Sequence, residues 1–284
     1  MAYTTLISAA DLKSHVSDAY WKVFDVRHDL FDTDAGMRAY RAGHVPGARF
    51  AHLDDELSGP KNGRNGRHPL PSREALTERF RAWGIDNDTQ VVAYDALGGQ
   101  FAARLWWLAR WLGHAKVAVL DGGWPAWVAI GGAVDVAVPP PRRGAFEAGE
   151  SLVRLDTAAD VLGALDDPAR LIVDARLPER YRGEQEPIDP VAGHIPGALN
   201  RPWTQNLTGD QRFKSPDALR RDFAELLGAH RPDRVTVQCG SGVTACHHLL
   251  AMEVAGLTGS ALYAGSWSEW IADPQRPVRT GAEP

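Results

Sequence analysis

Cysteine is almost absent from this chain. Only Cys239 and Cys246 occur in 284 residues, too few for a disulfide-stapled scaffold, and a reducing compartment would leave both as thiols. Long apolar runs are missing too, and Met1-Ala2-Tyr3-Thr4-Thr5 lacks the basic start and apolar stretch of a secretory signal, so a cytoplasmic protein with no membrane partner is expected. There is no basic excess. The formal net charge is -5 with Lys and Arg dispersed, which argues against nucleic acid as a partner but leaves room for a small anion in a local basic pocket. Cysteines and histidines do not cluster at zinc spacing, so neither a metal nor a cofactor is expected. What is present is an ordinary globular composition, 44% hydrophobic and 24% charged, at a length that favours two domains over one. The ten tryptophans are read first as packing surface, Trp267 and Trp270 among them.

Four short segments recur in the same order and at nearly the same spacing in each half. Val23-Phe24-Asp25-Val26-Arg27 matches Ile172-Val173-Asp174-Ala175-Arg176, and Gly43-His44-Val45-Pro46-Gly47-Ala48 matches Gly193-His194-Ile195-Pro196-Gly197-Ala198. Val91-Val92-Ala93-Tyr94-Asp95 matches Val235-Thr236-Val237-Gln238-Cys239, and Gly122-Gly123-Trp124 matches Gly265-Ser266-Trp267. Between the copies, Pro139-Pro140-Pro141-Arg142-Arg143-Gly144 can continue neither a helix nor a central strand. Domains are therefore expected at 1–138 and 151–284, with a linker at 139–150. Within the second copy, helices are expected at 218–227 and 245–255 and strands at 235–238 and 261–263. Such alternation predicts an α/β fold, each domain a parallel sheet flanked by helices, with ligands bound beyond the carboxyl ends of the strands.

Cys239 stands at such an end. The loop Cys239-Gly240-Ser241-Gly242-Val243-Thr244 joins the strand to a helix, and its glycines permit a curl with backbone N–H groups turned inward. Inward amides and a helix N-terminus favour an anion at the centre, and the thiolate is the nucleophilic form of cysteine. A cysteine taken at random is more often a packed core thiol, the reading given to Cys246; the flanking glycines and the helix start reverse it for Cys239. His247-His248 is a weak pair, because neighbouring helical residues point in different directions.

The paired Gly-His-x-Pro-Gly-Ala segments, the Cys239–Ala245 loop and Gly265-Ser266-Trp267-Ser268-Glu269-Trp270 together resemble the tandem-domain rhodaneses, and within them the 3-mercaptopyruvate sulfurtransferases. That resemblance implies two rhodanese-like domains, of which only the second is catalytic; Asp95 stands where Cys239 stands, and a carboxylate cannot carry sulfur. It also implies transfer of sulfane sulfur from 3-mercaptopyruvate through a Cys239 persulfide to a thiol such as a thioredoxin, or to cyanide, with release of pyruvate. Thiosulfate-type relatives place Arg and Lys directly after the cysteine, where this chain has Gly240 and Ser241, so thiosulfate is the second donor considered. By the same resemblance Arg180 meets the substrate carboxylate, Gly240, Gly242, Val243 and Thr244 form the anion cradle, and Ser241 with His68 forms a proton relay to the cysteine. Two positions depart from the pattern: His52 replaces the acidic relay member, with Asp54 and Asp55 nearby, and Ile188 replaces a second substrate arginine. Because Arg176, His44 and His194 belong to features present in both copies, they are assigned to the fold. A cysteine phosphatase would need an arginine closing the loop, where this chain has Ala245. A noncatalytic sulfur carrier is the remaining alternative.

Overall fold

The computed structural model describes residues 2–140 and 142–284; Met1, in the N-terminal stretch read for a signal, and Pro141, inside the expected linker, lie outside the described residues. The chain divides into two units. One comprises Met1–Gly59, Pro71–Leu152 and Gly209–Phe213, the other Pro60–Leu70, Val153–Thr208 and Lys214–Pro284. Residues 60–70 thus belong to the second unit although they precede the linker in the chain.

Each unit is built on a five-stranded sheet. In the first, β1 (Leu6–Ile7), β2 (Trp21–Asp25), β3 (Arg49–Phe50), β4 (Gln90–Tyr94) and β5 (Val117–Leu120) lie in the order β1-β5-β4-β2-β3. In the second, β6 (Arg154–Asp156), β7 (Leu171–Asp174), β8 (Ala198–Asn200), β9 (Val235–Gln238) and β10 (Ala261–Tyr263) lie in the order β6-β10-β9-β7-β8, the same topology repeated. Every strand pairing is parallel, which requires helical crossovers and explains why the central strands β4 and β9 are buried along their whole length. Among the described residues, no helix is long and apolar enough to cross a membrane.

The expected elements of the second copy fall close to their predicted bounds. The first helix runs Pro216–Leu227, starting earlier than expected because the Ser215 side chain accepts the Ala218 N–H and Pro216 occupies the first turn. The second is Thr244–Val254, and its run from Ala245 to Met252 is buried. A helix covered on all sides needs no polar stripe, and this one has none.

The repeated motifs make the same contacts in both units. Arg27 donates to both oxygens of Asp25 and, at 2.7 Å, to the Gly43 carbonyl; Arg176 does the same to Asp174 and, at 2.7 Å, to Gly193. Each guanidinium carbon lies 4.7 Å from the ring centre of a tryptophan, Trp124 or Trp267. His44 and His194, both fully buried, use Nδ1 to donate to Tyr40 and Tyr181 carbonyls at 2.8 Å and stack on those tyrosine rings. Trp267 and Trp270 lie in the second unit's hydrophobic core, as the packing reading expects. Replacing Arg27 or Arg176 with Met leaves a buried carboxylate unpaired and should cost about 3–5 kcal/mol in either unit. Urea unfolding of Arg27→Met and Arg176→Met measures it; a cost below about 1 kcal/mol in both would contradict the structural role given to these pairs.

Candidate active site

Cys239 follows the last residue of β9 and has its backbone held on both sides. Its N–H donates to Ser266 Oγ at 3.1 Å, and its carbonyl accepts the Trp267 N–H at 3.0 Å. The Gly242 N–H points at Sγ, 3.2 Å away, so the curl expected from the glycines is present. Gly242 adopts φ +75°, and a Cβ there would lie 2.1 Å from the Ala264 carbonyl oxygen; only glycine can turn that amide toward the sulfur. Val243 precedes the helix, Thr244 opens it, and Cys246 lies fully buried on its first turn, donating Sγ to the Gly242 carbonyl at 3.3 Å. Cys246 packs as a core thiol.

The first unit shows what such a loop does with an anion. Asp95 follows β4 as Cys239 follows β9, and its carboxylate accepts four backbone N–H groups: Leu97 at 2.8 Å and Gly99 at 2.9 Å on Oδ1, Phe101 at 2.7 Å and Ala102 at 2.9 Å on Oδ2. Complete burial pushes the Asp95 carboxyl above its usual range, and the four amides pull it back down. Trp124 donates to the Asp95 carbonyl at 2.7 Å, as Trp267 does to Cys239. Gly123 and Ser266 precede those tryptophans with nearly the same left-handed backbone, φ +54° and +53°. Glycine adopts this without strain and serine does not. The unit with the cysteine keeps a strained serine whose hydroxyl accepts the Cys239 N–H while donating to the Tyr263 carbonyl at 2.8 Å.

Ser241 and His68, singled out from sequence, come together: His68 Nδ1 lies 2.7 Å from Ser241 Oγ, with both residues buried. Arg180 does not stand alone. Its Nε and Nη2 engage both oxygens of Glu186, and Nη2 also reaches Asp189 at 3.0 Å. Asp189 in turn bonds Arg67 Nη1. A Cβ placed on Gly240 would lie 2.8 Å from Arg67 Nη2 and 3.3 Å from Arg180 Nη1, so two guanidiniums face the residue after the cysteine. Gly240 and Ser241 are themselves neutral, and positive charge reaches the loop through space from residues 67 and 180. Cys239 itself is only 1% exposed.

Rhodanese-like domain models match residues 8–130 and 157–273, one per sheet. The chain belongs to the rhodanese family. It is 46% identical, over 99% of its length and 100% of the relative's, to a Pseudomonas aeruginosa protein named "Probable 3-mercaptopyruvate sulfurtransferase". It is 36% identical to the thiosulfate sulfurtransferase of Mus musculus over 88% of this chain and 85% of that one. The 3-mercaptopyruvate sulfurtransferase from Leishmania major superposes with a TM-score of 0.85 at 29% identity, covering 96% of this chain and 75% of the other. Sulfur transfer is the reaction class of this rhodanese.

Sequence reasoning missed Arg67, Glu186 and Asp189. Arg67 adjoins His68, and that adjacency was the available signal; the carboxylates gave none, since only folding turns 186 and 189 toward 180. His52 lies in the first unit, where its Nδ1 accepts the Asp54 N–H and its neighbours are a local turn. Ile188 contributes its backbone N–H to Glu186 at 3.1 Å, holding that carboxylate in place. His247 and His248, expected to diverge, both receive hydrogen bonds from Asn206 Nδ2, at 3.0 and 2.8 Å, because the amide sits between their two directions. The strain at Ser266 is testable: Ser266→Ala keeps the left-handed backbone and loses the hydroxyl, whereas Ser266→Gly loses the hydroxyl and relieves the strain. The glycine variant should be more stable than the alanine variant by about 1–2 kcal/mol in urea melts; equal stability would remove the strain from the account.

Proposed function

We propose that this rhodanese carries sulfur on Cys239, taking it from 3-mercaptopyruvate and passing it to a thiol. The Cys239 thiolate attacks the donor sulfur and the sulfur–carbon bond breaks, leaving a cysteine hydropersulfide and the enolate of pyruvate. The enolate needs a proton, and the hydropersulfide has one to lose. Ser241 and His68 move it between them, and the resulting persulfide anion is held by the Gly242 amide. An acceptor thiolate then attacks the outer sulfur and regenerates the Cys239 thiolate. Arg180 faces the donor carboxylate. Asp95 fills the anion position of the first unit with a fixed carboxylate, so that unit is catalytically silent. We assign the acceptor to the class of thioredoxin-like or small thiols and the setting to the cytoplasm.

What supports this donor is the hydrogen bond between Ser241 and His68 beside the nucleophile. A proton path is needed when the leaving group is an enolate; sulfite leaving from thiosulfate is stable without one. The two guanidiniums at Gly240 favour thiosulfate as a second donor, because a small dianion gains from positive charge near the transferred sulfur.

Initial-rate kinetics separate the two. The expectation is parallel double-reciprocal lines, a kcat with 3-mercaptopyruvate that falls roughly 10²–10⁴-fold in Ser241→Ala or His68→Gln, and a thiosulfate rate that changes far less. Intersecting lines, or equal losses on both donors, would refute the proton role. Loading by neither donor, with loading from a partner desulfurase, would make the chain a carrier.

A further inference from the structure

We infer that Arg67, on the loop 60–70, is a substrate-binding residue: with Arg180 it forms a two-guanidinium clamp for the donor carboxylate. The inference rests on the donor assignment above and goes beyond it by naming where the second positive charge comes from.

The geometry of unused hydrogen-bond donors carries the argument. Asp189 bridges the guanidiniums, one oxygen on Arg67 Nη1 and the other on Arg180 Nη2, while Glu186 takes Arg180 Nε and Nη2. The nitrogens left over are Arg67 Nη2 and Arg180 Nη1, and these come nearest to a Cβ placed on Gly240, at 2.8 and 3.3 Å, with the engaged Arg180 Nη2 next at 3.5 Å. The acidic pair therefore occupies Nη1 of Arg67 and Nε and Nη2 of Arg180, leaving one terminal nitrogen of each guanidinium near the nucleophile loop. N–H groups offered by two guanidiniums suit a planar carboxylate, which can accept one bond on each oxygen.

The backbone of Arg67 is fixed to the same loop. Its N–H donates to Ser268 Oγ at 3.0 Å, and the Ser268 N–H donates to the Gly240 carbonyl at 3.0 Å. Gly66 has φ +82°, and a Cβ there would come within 2.8 Å of the Gly265 carbonyl oxygen, so glycine at 66 permits this approach. Gly240 completes the arrangement: a Cβ at 240 would come within 2.8 Å of Arg67 Nη2, and the guanidinium would have to shift to admit it. Burial lowers the Arg67 guanidinium from its ordinary value; Asp189 pulls it back up, and Arg180 beside it pushes it down. Asp189, buried with a side chain 2% exposed, holds the clamp rather than touching substrate; burial pushes its carboxyl up, and Arg67 pulls it down.

The test compares Arg67→Gln and Arg67→Lys with the unaltered enzyme, using 3-mercaptopyruvate and mercaptoacetone, the same thiol donor with a methyl group in place of the carboxylate. Mercaptoacetone is followed as a substrate or as an inhibitor of loading. Arg67→Gln should raise KM for 3-mercaptopyruvate about 10- to 100-fold and the inhibition constant of pyruvate by a similar factor. It should leave the mercaptoacetone constant within about twofold. Arg67→Lys, which keeps the charge without the fork, should recover part of the loss. Equal changes for both donors would reduce Arg67 to a structural residue, and no change for either would remove it from the site; thermal melts identify a variant that has failed to fold, in which case the lysine variant decides. Failure of the unaltered enzyme to accept 3-mercaptopyruvate would instead strike the donor assignment.

Discussion

The backbone amides gathered at the end of the central strand are the constraint on which the rest of this protein depends. In one copy they close on a carboxylate, four N–H groups to the two oxygens of Asp95. In the other, the corresponding position holds a sulfur with the Gly242 amide aimed at it. A parallel sheet places such a loop where a strand hands over to a helix, and glycine supplies the left-handed turn that points the amide inward. On the proposed function, the same scaffold serves a silent unit and a sulfur-carrying one, and the difference is whether the anion is a permanent side chain or a group that can be loaded and discharged.

Around this centre, charge is arranged in matched pairs at low exposure. Asp174 neutralises Arg176, Glu186 engages Arg180, and Asp189 spans Arg180 and Arg67. Unpaired guanidiniums buried this far would carry a heavy desolvation cost, and unpaired carboxylates likewise. Pairing keeps both in place while leaving selected N–H edges for a ligand. Cys239 is 1% exposed, and Arg67, with a side chain 27% exposed, is the most open member of this charged group.

Much of this was legible in the sequence because duplication doubled the signal. The Asp-x-Arg and Gly-His-x-Pro-Gly-Ala segments, seen twice, announced a shared fold, and their contacts repeat in both units down to the tryptophan beneath each arginine. Cys239 could be picked out by its glycine-flanked loop at a strand end and by its contrast with Asp95, and Ser241 and His68 by the resemblance to the mercaptopyruvate enzymes. Arg67, Glu186 and Asp189 were not legible, because their roles depend on a loop from before the linker packing with the second unit. The sequence around Gly240 shows no charge, because the guanidiniums near it come from residues 67 and 180. The convergence of His247 and His248 on Asn206 escaped for a related cause: helical geometry fixes where two side chains start, not what lies between their ends.

The central claim is that Cys239, and not Cys246, holds the sulfane atom. Incubating the protein with 3-mercaptopyruvate in the absence of an acceptor, blocking the thiols, digesting and mapping peptides by mass tests it most directly. The account predicts one additional sulfur on Cys239, lost on treatment with a thiol, and none on Cys246. Sulfur found on Cys246, or a protein that remains unmodified while pyruvate accumulates, would contradict it.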